Sequence, residues 1–209
     1  MNKIKAIIFD MDGVLIDAKD WHYESLNKAL GLFGSEISRY DHLVTFDGLP
    51  TKKKLEMLSL ESGFPKSLHS FVNELKQQYT MELVYARCKP VFQHQYALSK
   101  LKNEGYHLAV CSNSIRQTVA VMMEKAGLDT YLDFFLSNQD VTRGKPDPEM
   151  YQIAIKKLGM DPSECLIVED NDNGVKAALA SQAHLLKVEN PDAVTYYQIK
   201  NRITEIENA

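Results

Sequence analysis

The side chains of this sequence that could do chemistry together fall in four short segments. These are Asp10-Met11-Asp12-Gly13-Val14, Ser112-Asn113, Lys145-Pro146 and Glu169-Asp170. Several carboxylates in one small site repel one another unless a hard cation neutralises them, and oxygen ligands with room for water favour Mg²⁺. A lysine, a hydroxyl and loop N–H groups suit a phosphoryl group, whose negative oxygens need donors. Because a carboxylate can attack phosphorus, the sequence predicts metal-assisted phosphoryl transfer if the four segments meet.

Five short runs rich in Val, Ile, Leu and Phe explain how the segments could meet. They predict strands over Ile4–Phe9, Tyr106–Cys111, Asp133–Ser137, Cys165–Val168 and His184–Val188. Runs this apolar, separated by helical patterns, are typical of a parallel sheet with helices on both faces. The carboxyl ends of such strands open on one side, where ligands bind. We therefore expect a doubly wound α/β core that brings the four segments to one pocket.

The interval between the first two predicted strands is far longer than the roughly 30 residues that a β–α–β unit needs. Its apolar residues recur at helical spacing, as in His22, Leu26, Ala29, Leu30 and Phe33. We therefore predict a core over residues 1–16 and 86–209, and a helical cap over residues 17–85. An insertion that leaves the end of the first strand would lie over the site as a lid.

Cap signals predict the ends of two core helices. Ser114 is a possible N-cap after the second strand, with Gly127 as the stop of that helix. Asp147 is a possible N-cap of the next helix, with Pro148 at its first position and Gly159 past its end. These helices alternate with the predicted strands as in β–α–β units.

Composition and charge narrow the class of protein. A net charge of −4 argues against broad electrostatic binding to nucleic acid. The N-terminal apolar stretch is too short for a signal peptide, and no window approaches the length of a membrane span. Cys88, Cys111 and Cys165 lack metal-ligand spacing and predict buried free thiols in a reducing compartment. We expect a cytosolic protein, and nothing in the sequence indicates an obligate protein partner.

Taken in order, the four segments resemble the motifs of the haloacid dehalogenase-like phosphatase superfamily. The likeness is to its branch of small-molecule phosphatases and β-phosphoglucomutases, and Gly174 follows the fourth segment as it does there. It covers nearly the whole predicted core, whereas the insertion matches only in position, size and helical character. The resemblance implies Mg²⁺ as the cofactor and a small phosphorylated metabolite, such as a sugar phosphate, as the substrate.

The resemblance also implies roles for the carboxylates. Asp10 would attack phosphorus and bind the metal, while Asp12 would protonate the leaving oxygen and then deprotonate the hydrolytic water. The main-chain carbonyl of Asp12 and the side chain of Asp170 would complete the metal ligands, with Glu169 supporting them. For Glu169, a salt bridge to Lys145 is an alternative to direct metal contact.

The remaining segments would hold the substrate's phosphate. By the same resemblance, Ser112, Asn113 and Lys145 bind the phosphoryl oxygens, and Gly13 lets the chain turn sharply after the nucleophile. For Asn113, the alternative is a purely structural role as the N-cap of the following helix.

Three residues of the predicted cap are further candidates for contact with the substrate. His22 lies on an apolar stripe, where packing is the alternative role. Thr51 and Lys52 begin a predicted helix whose N–H groups could hold an anion. The run Lys52-Lys53-Lys54 also fits a solvated helix face.

Some positions depart from the family pattern. The family ends the helix after Gly174 with Ala-Gly, but this chain has Ser181-Gln182, and a left-handed Gln182 would cost about 1 kcal/mol relative to glycine. Ala18 stands where β-phosphoglucomutases have threonine, and Thr51 stands where they have an arginine for the second phosphate. The latter two departures argue against a mutase.

We therefore expect hydrolysis of a phosphate monoester through an aspartyl-phosphate on Asp10. A β-phosphoglucomutase-like phosphomutase is the first alternative. A non-catalytic binding protein is the second, although the intact Asp10, Asp12, Lys145 and Asp170 argue against it. By itself, the Asp-x-Asp pair could also be a helix cap and a surface acid.

Overall fold

The computed structural model describes residues 3–46 and 48–209. Its strands are β1 (Ala6–Phe9), β2 (His107–Cys111), β3 (Phe134–Leu136), β4 (Cys165–Glu169) and β5 (His184–Lys187). They form one parallel sheet in the order β3-β2-β1-β4-β5. The predicted α/β class is therefore confirmed, and so are the five predicted strands, with small shifts at their ends.

Helices follow the strands of the core and make up the insertion. The α-helices of the described residues are α1 (Lys19–Gly31), α2 (Arg39–Asp41), α3 (Thr51–Glu61), α4 (His69–Arg87), α5 (Phe92–Asn103), α6 (Arg116–Ala126), α7 (Glu149–Leu158), α8 (Asp172–Ala180) and α9 (Tyr196–Glu207). Gly127 and Gly159 end α6 and α7 in the left-handed conformation, as predicted. Among the residues that the structure describes, no helix is long and apolar enough to cross a membrane.

The register of the sheet aligns the strand ends that carry the candidate residues. β1 is the central strand, and Phe9 pairs with Val110 of β2 and Val168 of β4. The residues one step further on, Asp10 and Glu169 among them, therefore stand level at the same edge of the sheet. All of β1 and β4 is buried, which fits their continuous apolar composition.

The predicted N-caps of two core helices are wrong. Ile115 occupies the N-cap of α6, and the Ser114 hydroxyl, which would have served as the cap, donates to Asp12 Oδ2 instead. Pro148 occupies the N-cap of α7, while the Asp147 carboxylate accepts the N–H of Glu149 from one position earlier.

The chain forms two compact units, one of residues up to Asp17 with Lys89–Ala209, and the other Ala18–Cys88. The second unit is helical and has a hydrophobic core of its own. That core includes Leu26, Leu30, Ile37, Leu55, Phe64 and Val72. Its last helix, α4, continues through Arg87, so the unit extends a few residues past the expected boundary.

The three cysteines are buried free thiols, as predicted from their spacing. Burial raises the pKa of Cys111 to about 12, with Lys145 opposing the shift. The thiol beside the candidate site is therefore neutral at physiological pH.

Candidate active site

Lys145 lies at the centre of the candidate site, where the loop after β3 brings it against the ends of β1, β2 and β4. Its Nζ atom donates to Asp10 Oδ1 at 2.6 Å, to Glu169 Oε1 at 2.7 Å and to the Cys111 carbonyl oxygen at 2.8 Å. Each of the three ammonium protons therefore has an acceptor. Lys145 and Glu169 are buried, and Asp10 is 5% exposed.

Burial governs the electrostatics of this cluster. Burial would lower the pKa of Lys145, but Asp10 and Glu169 together raise it above its ordinary value. Burial, and then the charge of Glu169, raise the pKa of Asp10 well above its usual range, while Lys145 opposes that rise. One ammonium does not offset the surrounding carboxylates, so a further cation beside Asp10 would favour its ionised form.

An acidic cluster at this edge of the sheet could hold such a cation. Carboxylate oxygens of Asp10, Glu169 and Asp170 lie within 4.8 Å of one another. All three residues are at least nine-tenths buried. Buried carboxylates that share one site suit a hard divalent cation, for which oxygen ligands are preferred.

Glu169 makes the salt bridge to Lys145 that the sequence left as an alternative to metal contact. Its Oε1 atom also accepts the Tyr151 hydroxyl at 2.5 Å, and its Oε2 accepts the Asp170 N–H at 3.2 Å. A Cβ atom on Gly174 would lie 1.9 Å from Oε1. Only glycine fits at position 174, because α8 passes directly against the Glu169 carboxylate.

Asn113 holds the loop that carries Lys145. Its Oδ1 accepts the Lys145 backbone N–H at 3.0 Å, and its Nδ2 donates to the Lys145 carbonyl oxygen at 3.1 Å. A Cβ atom on Gly144 would lie 2.5 Å from Asn113 Oδ1, so the loop approaches the amide closely. The alternative interpretation of Asn113 as a helix N-cap is wrong, because α6 begins at Arg116 with Ile115 as its cap.

Asp12 lies on a tight turn after β1, which Gly13 enters with a φ of 88°. The Gly13 N–H donates to the Ile16 carbonyl oxygen at 2.7 Å and closes the turn. Ser114 donates its hydroxyl to Asp12 Oδ2 at 3.1 Å. The buried Ser112 follows β2, and its hydroxyl oxygen accepts the Ser114 N–H at 3.0 Å. Ser114 thus connects two of the candidate segments.

Sequence reasoning missed Tyr151 and the role of Ser114. Tyr151 is fully buried, and burial, followed by the charge of Glu169, raises its pKa well above the ordinary value. It therefore remains a hydroxyl donor. In the sequence it reads as one more apolar position of α7, and nothing local signals its contact with Glu169.

The cap candidates lie in the helical unit. The half-buried His22 has its Nδ1 atom 3.2 Å from Lys76 Nζ. Thr51 is the first residue of α3, as predicted, and Lys52 is exposed. Lys54 is buried, so the interpretation of the lysine run as a wholly solvated face is wrong at its third residue.

Known proteins that resemble this chain in sequence or in fold include phosphatases and a β-phosphoglucomutase. A family model described as haloacid dehalogenase-like hydrolase matches residues 7–188. The pyrophosphatase PpaX of Bacillus velezensis is 32% identical over 84% of this chain and 78% of its own. A phosphorylated carbohydrates phosphatase of Thermotoga maritima is 28% identical over 84% and 80%. A β-phosphoglucomutase structure from Clostridium difficile aligns with a TM-score of 0.84 over 99% of this chain and 100% of its own; at 20% identity, this shows likeness of fold.

Proposed function

Because this chain belongs to the haloacid dehalogenase-like hydrolase family and is a phosphoric monoester hydrolase, we propose that it is a Mg²⁺-dependent phosphatase of small phosphorylated metabolites. The observation that carries the proposal is the buried cluster in which Lys145 holds Asp10 beside Glu169 and Asp170. A carboxylate held in this way is a fixed nucleophile beside a cluster that could hold a divalent cation.

The proposed reaction has two steps that use Asp10 and Asp12 in turn. The Asp10 carboxylate attacks phosphorus and forms an aspartyl-phosphate, while the departing alcohol oxygen takes a proton from Asp12. Asp12, now a carboxylate, then takes a proton from the water that attacks the aspartyl-phosphate and releases inorganic phosphate. The Ser114 hydroxyl bond to Asp12 Oδ2 supports this assignment, because it orients the acid/base.

The donor set at the acidic cluster fits Mg²⁺. By the family resemblance, Asp10, Asp170 and the main-chain carbonyl of Asp12 would hold the ion, with Glu169 supporting them. When bound, the ion would offset negative charge on the phosphoryl oxygens and on Asp10.

Ser112, Asn113 and Lys145 remain the proposed phosphate ligands. Lys145 would in addition hold Asp10, and Asn113 would hold the loop that carries Lys145, through the hydrogen bonds described above.

A sugar phosphate is the proposed substrate class. One relative is a phosphatase of phosphorylated carbohydrates, which supports this choice. His22, Thr51 and Lys52 remain predicted contributors to specificity. A screen of phosphorylated metabolites with Mg²⁺, reading released phosphate, tests the proposal. Release from none of them, or undiminished release after chelation of Mg²⁺, would contradict it.

A phosphomutase is the second candidate, because the same catalytic residues would serve it and the fold is that of a β-phosphoglucomutase. Ala18 and Thr51 argue against it, since they replace residues typical of that enzyme. Glucose 1-phosphate separates the two functions. Release of inorganic phosphate supports hydrolysis, whereas stoichiometric glucose 6-phosphate without free phosphate would establish the mutase.

A further inference from the structure

We propose that Tyr151 is a positioning residue of this site, whose hydroxyl sets how Lys145 is shared between Asp10 and Glu169. The inference rests on the proposed function, in which Asp10 is the nucleophile. Tyr151 would touch neither the substrate nor the metal ion, and would act through Glu169 and Lys145.

The geometry links Tyr151 to the nucleophile through two shared atoms. The Tyr151 hydroxyl lies 2.5 Å from Glu169 Oε1, and the same oxygen accepts Lys145 Nζ at 2.7 Å. Nζ in turn lies 2.6 Å from Asp10 Oδ1. The Tyr151 ring also faces this ammonium, with Nζ 4.7 Å from its centroid. These three hydrogen bonds are buried, so water screens them only weakly.

Asp10 and Glu169 compete for one ammonium. A hydroxyl that donates to Glu169 takes up part of its negative charge and makes it a weaker acceptor for Lys145. Lys145 then bonds more strongly to Asp10, whose carboxylate stays fixed. Without the hydroxyl, Glu169 would draw the ammonium toward itself, and Asp10 would be held less firmly.

Packing alone does not account for a tyrosine at this position. Met150, Ala154 and Ile155 of the same helix are buried in one hydrophobic cluster with it. Phenylalanine would fill the same volume without placing a hydroxyl in the interior, where an unbonded one is costly. The hydroxyl is instead bonded to a carboxylate of the site.

Tyr151→Phe tests the proposal with two readouts that should move in opposite directions. We expect kcat on the best substrate of the screen to fall about tenfold, as loss of a hydrogen bond to a charged group implies, with KM changed less than about twofold. We expect Mg²⁺ alone, titrated by calorimetry, to bind about twofold more tightly. The variant lacks the hydroxyl whose positive end faces the Glu169 carboxylate, so the carboxylate cluster attracts a cation more strongly.

Tyr106→Phe is the matched control. Tyr106 is also buried, and its hydroxyl accepts Lys200 Nζ at 2.9 Å on another part of the core unit. This variant should leave kcat, KM and Mg²⁺ binding unchanged. General damage to the fold by Tyr151→Phe would lower the melting temperature and weaken both turnover and Mg²⁺ binding.

Unchanged kcat, weaker Mg²⁺ binding or failure of Tyr151→Phe to fold would each overturn the proposal, since each contradicts a positioning role. A coupling test sharpens it: in a Glu169→Gln background, Tyr151→Phe should change kcat less than about twofold. If the wild-type protein releases no phosphate from any ester, the proposed function fails. The Mg²⁺ titration needs no turnover and still decides whether Tyr151 acts on the cluster.

Discussion

The carboxyl edge of the sheet and the helical unit differ in how each places its candidate residues. At the sheet edge, parallel pairing of β1 with β2 and β4 sets the strand ends level, and buried bonds then hold Asp10 and Lys145. In the helical unit, His22, Thr51 and Lys52 lie on separate parts of two helices. Strand register brings residues that are distant in the chain together, whereas helical periodicity places only the residues of one helix on a shared face.

The largest expected effect comes from removing the attacking carboxylate. Asp10→Asn should abolish phosphate release, because an amide of the same shape cannot form the aspartyl-phosphate. Asp172→Asn is the matched control, since Asp172 is an exposed acid whose ion pair with Lys187 lies at the surface. It should retain full activity in the same assay. Substantial turnover by Asp10→Asn with Mg²⁺ present would refute the mechanism.

One glycine in each region differs in how closely other atoms approach it. Gly174→Ala should destabilise the protein by about 2 kcal/mol and lower kcat, because its Cβ would collide with the Glu169 carboxylate. Gly31→Ala in the helical unit meets no atom within 4 Å and should be neutral or stabilising. Denaturant unfolding and kcat measure both. Equal effects of the two changes would show that the close approach of Gly174 to Glu169 affects neither the stability nor kcat.

An asparagine in each region provides a smaller and closely matched test. The side-chain amide of Asn113 forms two hydrogen bonds with the backbone of Lys145, one to its N–H and one to its carbonyl oxygen. Asn27 forms the same two hydrogen bonds with the backbone of Ile37. Replacement of either by alanine should lower the free energy of unfolding by about 1–2 kcal/mol. Asn113→Ala alone should also lower kcat, because the loop of Lys145 loosens. A similar fall in kcat for Asn27→Ala would break the distinction between the regions.

The smallest expected effect lies away from both regions. Gln182 adopts the left-handed conformation that the sequence predicted for this position, with a φ of 66°. Gln182→Gly should raise the free energy of unfolding by about 1 kcal/mol and leave kcat unchanged. Gln182→Asn should give a smaller gain, since asparagine tolerates this conformation better than glutamine does. A lower melting temperature for Gln182→Gly would show that the left-handed conformation of Gln182 does not cost stability.

Several failures of sequence reasoning share one physical cause. Ser114 and Asn113 both carry good N-cap side chains, yet each makes bonds within the site, to Asp12 and to the backbone of Lys145. The left-handed helix ends at Gly127 and Gly159 were predictable, because a backbone conformation that favours glycine is a local property. Cap side chains have several possible partners, and contacts distant in the chain decide among them.

The five strands, their parallel arrangement and the position of the four segments at the strand ends were all predictable from the sequence, because apolar runs and strand polarity are local signals. Which side chains pair at that edge depends on the packing of the whole core unit. Lys145 bonds both Asp10 and Glu169, Tyr151 donates to Glu169, and neither choice has a local signature. The reason is that a buried polar group takes whichever partners the packed core brings within reach, and sequence spacing does not specify them.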